Sequence, residues 1–593
     1  MGIRRDSVKL SAAARPTHER VLGLIWGAAA GDALGWPQEL RSSIVGGQKA
    51  KDTLSPQPHY RDWERYAGSR FSGKYRDPVG RGQYSDDTQL LCAVGRSLLS
   101  GDEWYERLTR VELPAWKVYQ RGGGGAVLRA ATAWAEGRAP WVTGKSARQR
   151  ESVEQYRNAG ANGVAMRIAP HVVWWTDDQD LAVNVLRDGL ATHGHPRALV
   201  GALLYAGALR AALRSKETLQ YGGLIESSRD ALADDQWAAS LLPPEWGEKR
   251  AVEAFRAAWR AALDESAEGL NIIERSLARG AMSDPEEVLR DLGCVDSPVS
   301  GAGTVTALGA IYIASRAAAR PMSGLLMAAF LRKADTDTLA SMTGAMLGAL
   351  HGPHWLGPLS DMQDSGYLLN MGDALTEQRQ VRLPAAPESL ARASTNMSTL
   401  LSATDVGSAS QFVDGRHFVL LEKVPLEGSN RVRAVLALED GQIVYIDVHQ
   451  ANESVAQPRI SEVPSGADAG FSKGAPEART SARASTDANP TVTVQVSLLT
   501  RNLNKTGAFY ARLLGREVDV LPHRRVRVAD GLVFRQADGM DLQGTEESLV
   551  TLTVRDLRES ARSLNAEVSF GSDGEEVRGQ DPDGRWVQIV QAK

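Results

Sequence analysis

A chain of 593 residues is too long for one ordinary hydrophobic core, so two to four domains are expected. Its 43% hydrophobic and 24% charged content is that of a globular protein, and a formal net charge of −4 excludes a global basic field for nucleic acid. Two cysteines, Cys92 and Cys294, exclude a disulfide framework or a cysteine-rich zinc site, and both read as small core residues. No uncharged apolar run reaches the roughly 18 residues a membrane span needs. The moderately apolar stretch 21–34 carries Asp32 and several glycines, so it reads as a core helix rather than a leader, and the expected location is the cytoplasm.

Residues 17–375 are rich in Ala, Leu, Gly and Trp, with apolar residues recurring at helical spacing, as in Leu90, Leu91, Val94 and Leu98 or Leu339, Met342, Met346 and Leu350. This predicts an all-α domain. Gly23, Gly27 and Gly31 fall four apart, as do Gly344, Gly348 and Gly352. Each glycine costs a helix roughly 1 kcal/mol relative to Ala, and close approach of two backbones is the usual offset. Both helices are therefore expected at the crowded centre of the domain.

Segment 376–450 is expected to be a small helix-plus-β unit. Residues 412–449 turn to period-two patterning, punctuated by Asp414-Gly415, Glu427-Gly428-Ser429-Asn430 and Asp440-Gly441, which predicts a small antiparallel sheet. Residues 451–490, dense in Ser, Ala, Gly, Pro and charge, read as a flexible linker. From 491 to 593 a strand–helix–short-strand series occurs twice, with helices predicted at Lys505–Leu514 and Leu557–Leu564. With Thr506–Gly515 and Asp581–Arg585, that duplication resembles the βαβββ pairs of the glyoxalase/bleomycin-resistance (vicinal oxygen chelate) fold. Metal-using members of that fold place His on the first strand and Glu on the last. Gln495 or Ser497, and Gln588, stand near those places here, so the resemblance implies a metal-free α+β module that binds a small molecule or mediates self-association.

Three Asp-Asp pairs occur. Asp177-Asp178 and Asp234-Asp235 read as solvated helix starts or loops. Asp86-Asp87 lies in Ser85-Asp86-Asp87-Thr88, directly ahead of an apolar helix, where capping needs only one of the four. Asp335-Thr336-Asp337-Thr338 opens a second apolar helix in the same way. If the two starts converge, they offer hard oxygen ligands suited to Mg²⁺, Mn²⁺ or Ca²⁺; coincidental capping is the competing reading.

Five blocks in order resemble the ADP-ribosylglycohydrolase family: Gly27–Gly35 with Pro37 and Glu39, Tyr84–Thr88, Asn162–Pro170, Thr192-His193 with His195-Pro196, and Asp335–Thr338. The resemblance implies a hydrolase that removes ADP-ribose from a modified protein side chain, arginine first. It implies two divalent cations, Mg²⁺ ahead of Mn²⁺, held by Ser85, Asp86, Asp87, Asp335, Asp337 and Thr338. Glu39 matches a proposed catalytic base, and Asp32, in the first block, joins it as a catalytic candidate. Gly122, Gly123, Gly124, Gly160, Asn162, Gly163, Met166 and His193 match loops that approach ADP-ribose, with a core role for His193 as the alternative. Ser85 stands where Thr is common, Ala161 and Lys333-Ala334 where glycines are common. The alternatives are a non-catalytic ADP-ribose or nucleotide sensor, or a bifunctional resistance protein whose tail sequesters a small molecule.

Overall fold

The computed structural model describes residues 16–39, 55–69, 73–215, 219, 222–232, 242–247, 249–381, 384 and 390–449, together with the backbone of eight strands in the tail. It divides into two compact units, residues 1–458 and 459–593. The first is mostly helical. Its elements used below are α1 (His18–Gly35), strands β1 (Trp63–Ser69) and β2 (Gly73–Val79), α2 (Asp86–Leu99), α3 (Leu113–Tyr119), α4 (Gly125–Ala135), α5 (Asp178–Leu190), α6 (Thr336–His351), α7 (Ser365–Thr376) and α8 (Leu390–Ala403). Four further strands follow: β3 (Ala409–Gln411), β4 (His417–Leu426), β5 (Arg431–Leu438) and β6 (Ile443–His449).

The glycine sets do bring two helices together. A Cβ on Gly23 would lie 2.2 Å from the Gly348 carbonyl oxygen, one on Gly27 2.1 Å from that of Gly344, and one on Gly31 2.1 Å from that of Ala340. Gly35 continues the series against Thr336 at 2.2 Å. Position numbers rise on α1 as they fall on α6, so the pair is antiparallel and stays in register over about three turns. Its consequence for function is local: the C-terminal end of α1, with Asp32 and Glu39, is held beside the start of α6, with Asp335–Thr338. The Thr336 hydroxyl donates to the Gly35 carbonyl (2.9 Å) and closes that end.

An antiparallel hairpin, β1 with β2, interrupts the region expected to be all helix. Its inward positions Tyr75, Asp77 and Val79 keep period two, but the central one is a carboxylate, which hides the alternation from a reading by hydrophobicity. Three guanidiniums surround Asp77: Arg65 at 2.7 Å, Arg121 at 2.7 Å and Arg433 at 2.6 Å. They outweigh burial and hold its carboxyl well below the usual range.

β3–β6 form a meander in chain order, with Gly415, Gly428 and Gly441 at positive φ in the three expected turns. The meander is joined to the helices by polar contacts. The Arg96 guanidinium donates to Gln442 Oε1 (3.0 Å) and to Glu112 (2.8 Å), and the Ile443 amide donates to Asp364 Oδ1 (2.9 Å). Both cysteines are buried and free. Among the described residues no helix is long and apolar enough to cross a membrane.

In the tail, β7 (Val496–Thr500), β8 (Asp519–Leu521), β9 (Arg525–Ala529) and β10 (Leu532–Gln536) form one sheet of order β7-β10-β9-β8. β11 (Leu549–Val554), β12 (Ser569–Gly571), β13 (Gly574–Gln580) and β14 (Trp586–Gln591) form a second of order β11-β14-β13-β12. In each sheet the first and last strands are parallel and the other pairs antiparallel. The two expected helices, Gln495 and the motifs at 506–515 and 581–585 lie outside the described residues.

Candidate active site

Ser85 caps α2, its hydroxyl accepting from the Asp87 amide (3.3 Å). That leaves Asp86 and Asp87 in excess of capping, both nearly fully buried. At the other helix start, the Asp335 side chain makes no cap hydrogen bond at all. It accepts instead from Asn162 Nδ2 (2.9 Å). The two starts meet: Thr338 Oγ1 donates to Asp87 Oδ2 across 251 positions of sequence (3.3 Å). Capping therefore does not account for these acids.

Their electrostatics are unfavourable as they stand. Burial, then Asp32, Glu39 and Asp335, push Asp86 up to about 8. Burial, then Asp32, Asp86 and Asp335, raise Asp87; burial, then Glu39, Asp335 and Asp87, raise Asp337. Carboxylates with carboxylates for neighbours lack a counter-charge. Asp87 Oδ1 is moreover buried without a hydrogen-bond partner. Among the described residues no three His, Cys, Asp or Glu side chains already form a coordination shell. An orphaned carboxylate oxygen within an all-oxygen donor set fits a hard divalent cation.

Asp32 has a different situation from its neighbours. Its Oδ1 accepts from the Ser85 amide (3.0 Å), and Oδ2 from the Thr88 amide (2.9 Å) and hydroxyl (2.6 Å). The residue is buried within α1 and fastens the first turn of α2 to it. Glu39 follows a 3-10 turn, Trp36–Gln38, and is half-buried. Tyr84, just before the acids, donates to Asp364 Oδ2 (2.5 Å), which links the site to the meander through Ile443.

The glycine run lies between α3 and α4. Gly122 adopts φ +92°, and a Cβ there would meet Asp86 Oδ1 at 2.9 Å, so only glycine lets this loop reach the acids. A Cβ on Gly123 would strike the Trp116 ring, whereas Gly124 faces open space. Arg121 anchors the loop by donating to Gln83 (2.7 Å) and Asp77 (2.7 Å). The second loop is pinned to a segment the sequence reading passed over. The Asn162 amide donates to the Gly301 carbonyl, the Gly303 amide to that of Gly160, and a Cβ on Gly301 would lie 3.1 Å from Asp335 Oδ2. Gly301-Ala302-Gly303 ahead of an apolar helix was the available signal. Ala161, in place of glycine, pairs with Ala302.

His193 and Met166 are core-like in placement. His193 is almost fully buried, its ring beneath Gly163 and its Nδ1 on the Thr192 hydroxyl (2.8 Å), which also accepts from Arg167. Burial, then Arg167 and Arg129, drag its pKa down to about 3, so the ring is neutral. Met166 is buried and its amide donates to the Asn162 carbonyl. Lys333, where glycine is commoner, sits at φ +62° and pairs with Asp296 (2.6 Å). Asp177 caps α5, accepting from the amides of Gln179 and Asp180. Asp234-Asp235 lies outside the described residues.

The ADP-ribosylglycohydrolase family profile matches residues 13–385. The chain belongs to the ADP-ribosylglycohydrolase family. That membership supports a hydrolase acting on ADP-ribose. Over 352 residues the chain is 25% identical to the uncharacterized protein YegU of Escherichia coli strain K12, covering 57% of this chain and 90% of YegU. It is also similar to a solved structure titled ADP-ribosylglycohydrolase-related protein complex, at 21% identity and TM-score 0.38, over 61% of this chain and 98% of that one. The family match takes in both acid clusters and both glycine loops.

Proposed function

We propose that this protein is a metal-dependent hydrolase that removes ADP-ribose from a modified protein side chain, arginine first. The observation that carries the reading is the meeting of two buried acid–hydroxyl helix starts through Thr338 and Asp87, with an oxygen of Asp87 left unpartnered. Ser85, Asp86 and Asp87 from one start, and Asp335, Asp337 and Thr338 from the other, would hold two divalent cations, Mg²⁺ ahead of Mn²⁺. When bound, these would supply positive charge that holds and orients the distal ribose hydroxyls.

The chain's own groups do the rest. Glu39 takes the proton of the attacking water, so that the water oxygen bonds the anomeric carbon as the side-chain nitrogen leaves. Asp32 positions the first turn of α2 and so its acids. Asn162 orients Asp335. Gly122, Gly123 and Gly124, with Gly160 and Gly163, let backbone amides approach the diphosphate and ribose without side chains intervening. His193 and Met166 pack behind the second loop, His193 as a neutral ring. The tail reads as a vicinal-oxygen-chelate-like module that is metal-free and binds a small molecule or self-associates; two sheets of the same strand order support this. The proposed location is the cytoplasm, with an ADP-ribosylated protein as partner and neither nucleic acid nor membrane.

The test is release of free ADP-ribose from an arginine-ADP-ribosylated protein with Mg²⁺, with Mn²⁺ and with chelator, against a variant carrying Asp335→Ala and Asp337→Ala. Metal-dependent release lost in the variant supports the reading. Binding of ADP-ribose with no release from arginine, serine or nucleic-acid linkages makes the protein a sensor.

A further inference from the structure

Against α3 and α4 lies a groove of about 410 Å³, within the range of small-molecule sites. Its walls come from α3, α4, α8 and β6, and include Lys117, Val118, Ala135, Glu136, Met397 and Val448. Its apolar lining includes Val118, Ala135, Met397 and Val448, with Thr132 and Ser398 as polar members. The charges on its walls are unevenly compensated. Asp447, at one end, is taken up by Arg433 (2.8 and 2.9 Å) and by the Tyr75 hydroxyl (2.6 Å). Glu136, on the rim, pairs with Arg138 (3.7 Å). Lys117 is half-buried and makes no hydrogen bond or close ion pair among the described residues. Burial disfavours its charge, with only the more distant Glu136 opposing.

We infer that this groove binds a small apolar molecule carrying a single carboxylate, with the carboxylate on the Lys117 ammonium and the hydrocarbon against Val118, Met397 and Val448. A partly desolvated ammonium without a partner gains most from an anion, by a charge-assisted hydrogen bond. A neutral ligand leaves it unpaired, and a cation is repelled. The groove is also coupled to the acid site by construction. α3 and α4 carry the Gly122–Gly124 loop between them, and Asp447 connects through Arg433 and Asp77 to Arg121, the residue preceding Gly122. Occupancy that spreads the two helices moves the loop, so the ligand shifts ADP-ribose affinity. This second consequence rests on the proposed function; binding itself does not.

The experiment is calorimetric titration of the full chain with hexanoate, hexanol and hexylamine, on the wild type, Lys117→Gln and Glu136→Gln. The expected result is saturable hexanoate binding, weaker binding of hexanol and hexylamine, and a loss of about tenfold in K117Q. E136Q binds hexanoate as well or better. Hexylamine binding as tightly as hexanoate, an unchanged K117Q, or no saturation by about 10 mM overturns the proposal. Sedimentation of the same samples supplies the other occupant: a dimer lost in K117Q but indifferent to hexanoate gives the groove to a second copy and also overturns it. If hexanoate binds through Lys117 but ADP-ribose affinity stays fixed, the site stands and only its coupling fails.

Discussion

Replacing Gly27 by alanine tests the central helix pair most directly. A Cβ there would stand 2.1 Å from the Gly344 carbonyl oxygen, where ordinary contact begins at 3.4 Å. Both partners are backbone, so no side chain can rotate aside, and α1 and α6 must part by about 1 Å or shear. Overpacking of this kind costs about 1–3 kcal/mol, and the rigid partner places it at the upper end. Alanine returns about 1 kcal/mol of helix propensity. The expected net effect is a destabilisation of about 2 kcal/mol. Gly372→Ala in α7 is the control, because its Cβ would meet Ile25 Cδ1 at an ordinary 3.4 Å. There the propensity gain survives, and stability is unchanged or rises by up to about 1 kcal/mol. Hydrogen exchange of α1 and α6 peptides, followed by mass spectrometry through a urea series, measures both variants locally. If Gly27→Ala were as stable as the wild type while Gly372→Ala gained, the glycine contact would not set the spacing of these helices.

Asp32→Ala strips acceptors from the Ser85 and Thr88 amides in a buried place, and each orphaned group costs about 1–3 kcal/mol. Earlier urea unfolding with faster exchange at the start of α2 is expected; unchanged exchange there refutes the positioning role. Glu112 gives a pH prediction: burial pushes its carboxyl up, but Arg96 and Arg107 prevail and hold it at about 2 against an ordinary 4.5. A depressed acid contributes stability above its unfolded pKa and loses it as pH falls towards the folded value. Wild-type stability should therefore drop on acidification below 4.5 more steeply than that of Glu112→Gln, and parallel curves would count against the pairing. His193, held at about 3, should keep a neutral ring by NMR from neutral pH down to about pH 5. A midpoint near the ordinary 6.5 would contradict its burial.

Much of the larger unit was legible because local chemistry dictates it. Glycines four apart on a helix are tolerated where backbones approach closely, so Gly23–Gly31 and Gly344–Gly352 put both helices at the crowded centre; that the two sets meet each other is shown by the fold. The meander's turns were readable because Gly415, Gly428 and Gly441 take positive φ that other residues avoid. The surplus of oxygen-bearing side chains at Ser85–Thr88 and Asp335–Thr338 exceeded what capping needs. Other features were not legible. The β1–β2 hairpin escaped because Asp77 occupies a buried position whose cost is met by Arg65, Arg121 and Arg433, two of them from distant segments. Nothing in the neighbourhood of Asp32 tells whether its carboxylate faces substrate or the amides of α2, since those donors lie more than fifty residues away. The sequence by itself determined which residue types could gather cations and which two helices had to run through the crowded centre. Tertiary structure alone decided which acid serves as a fastening and which keeps a free oxygen, because that depends on donors brought close by folding rather than by sequence.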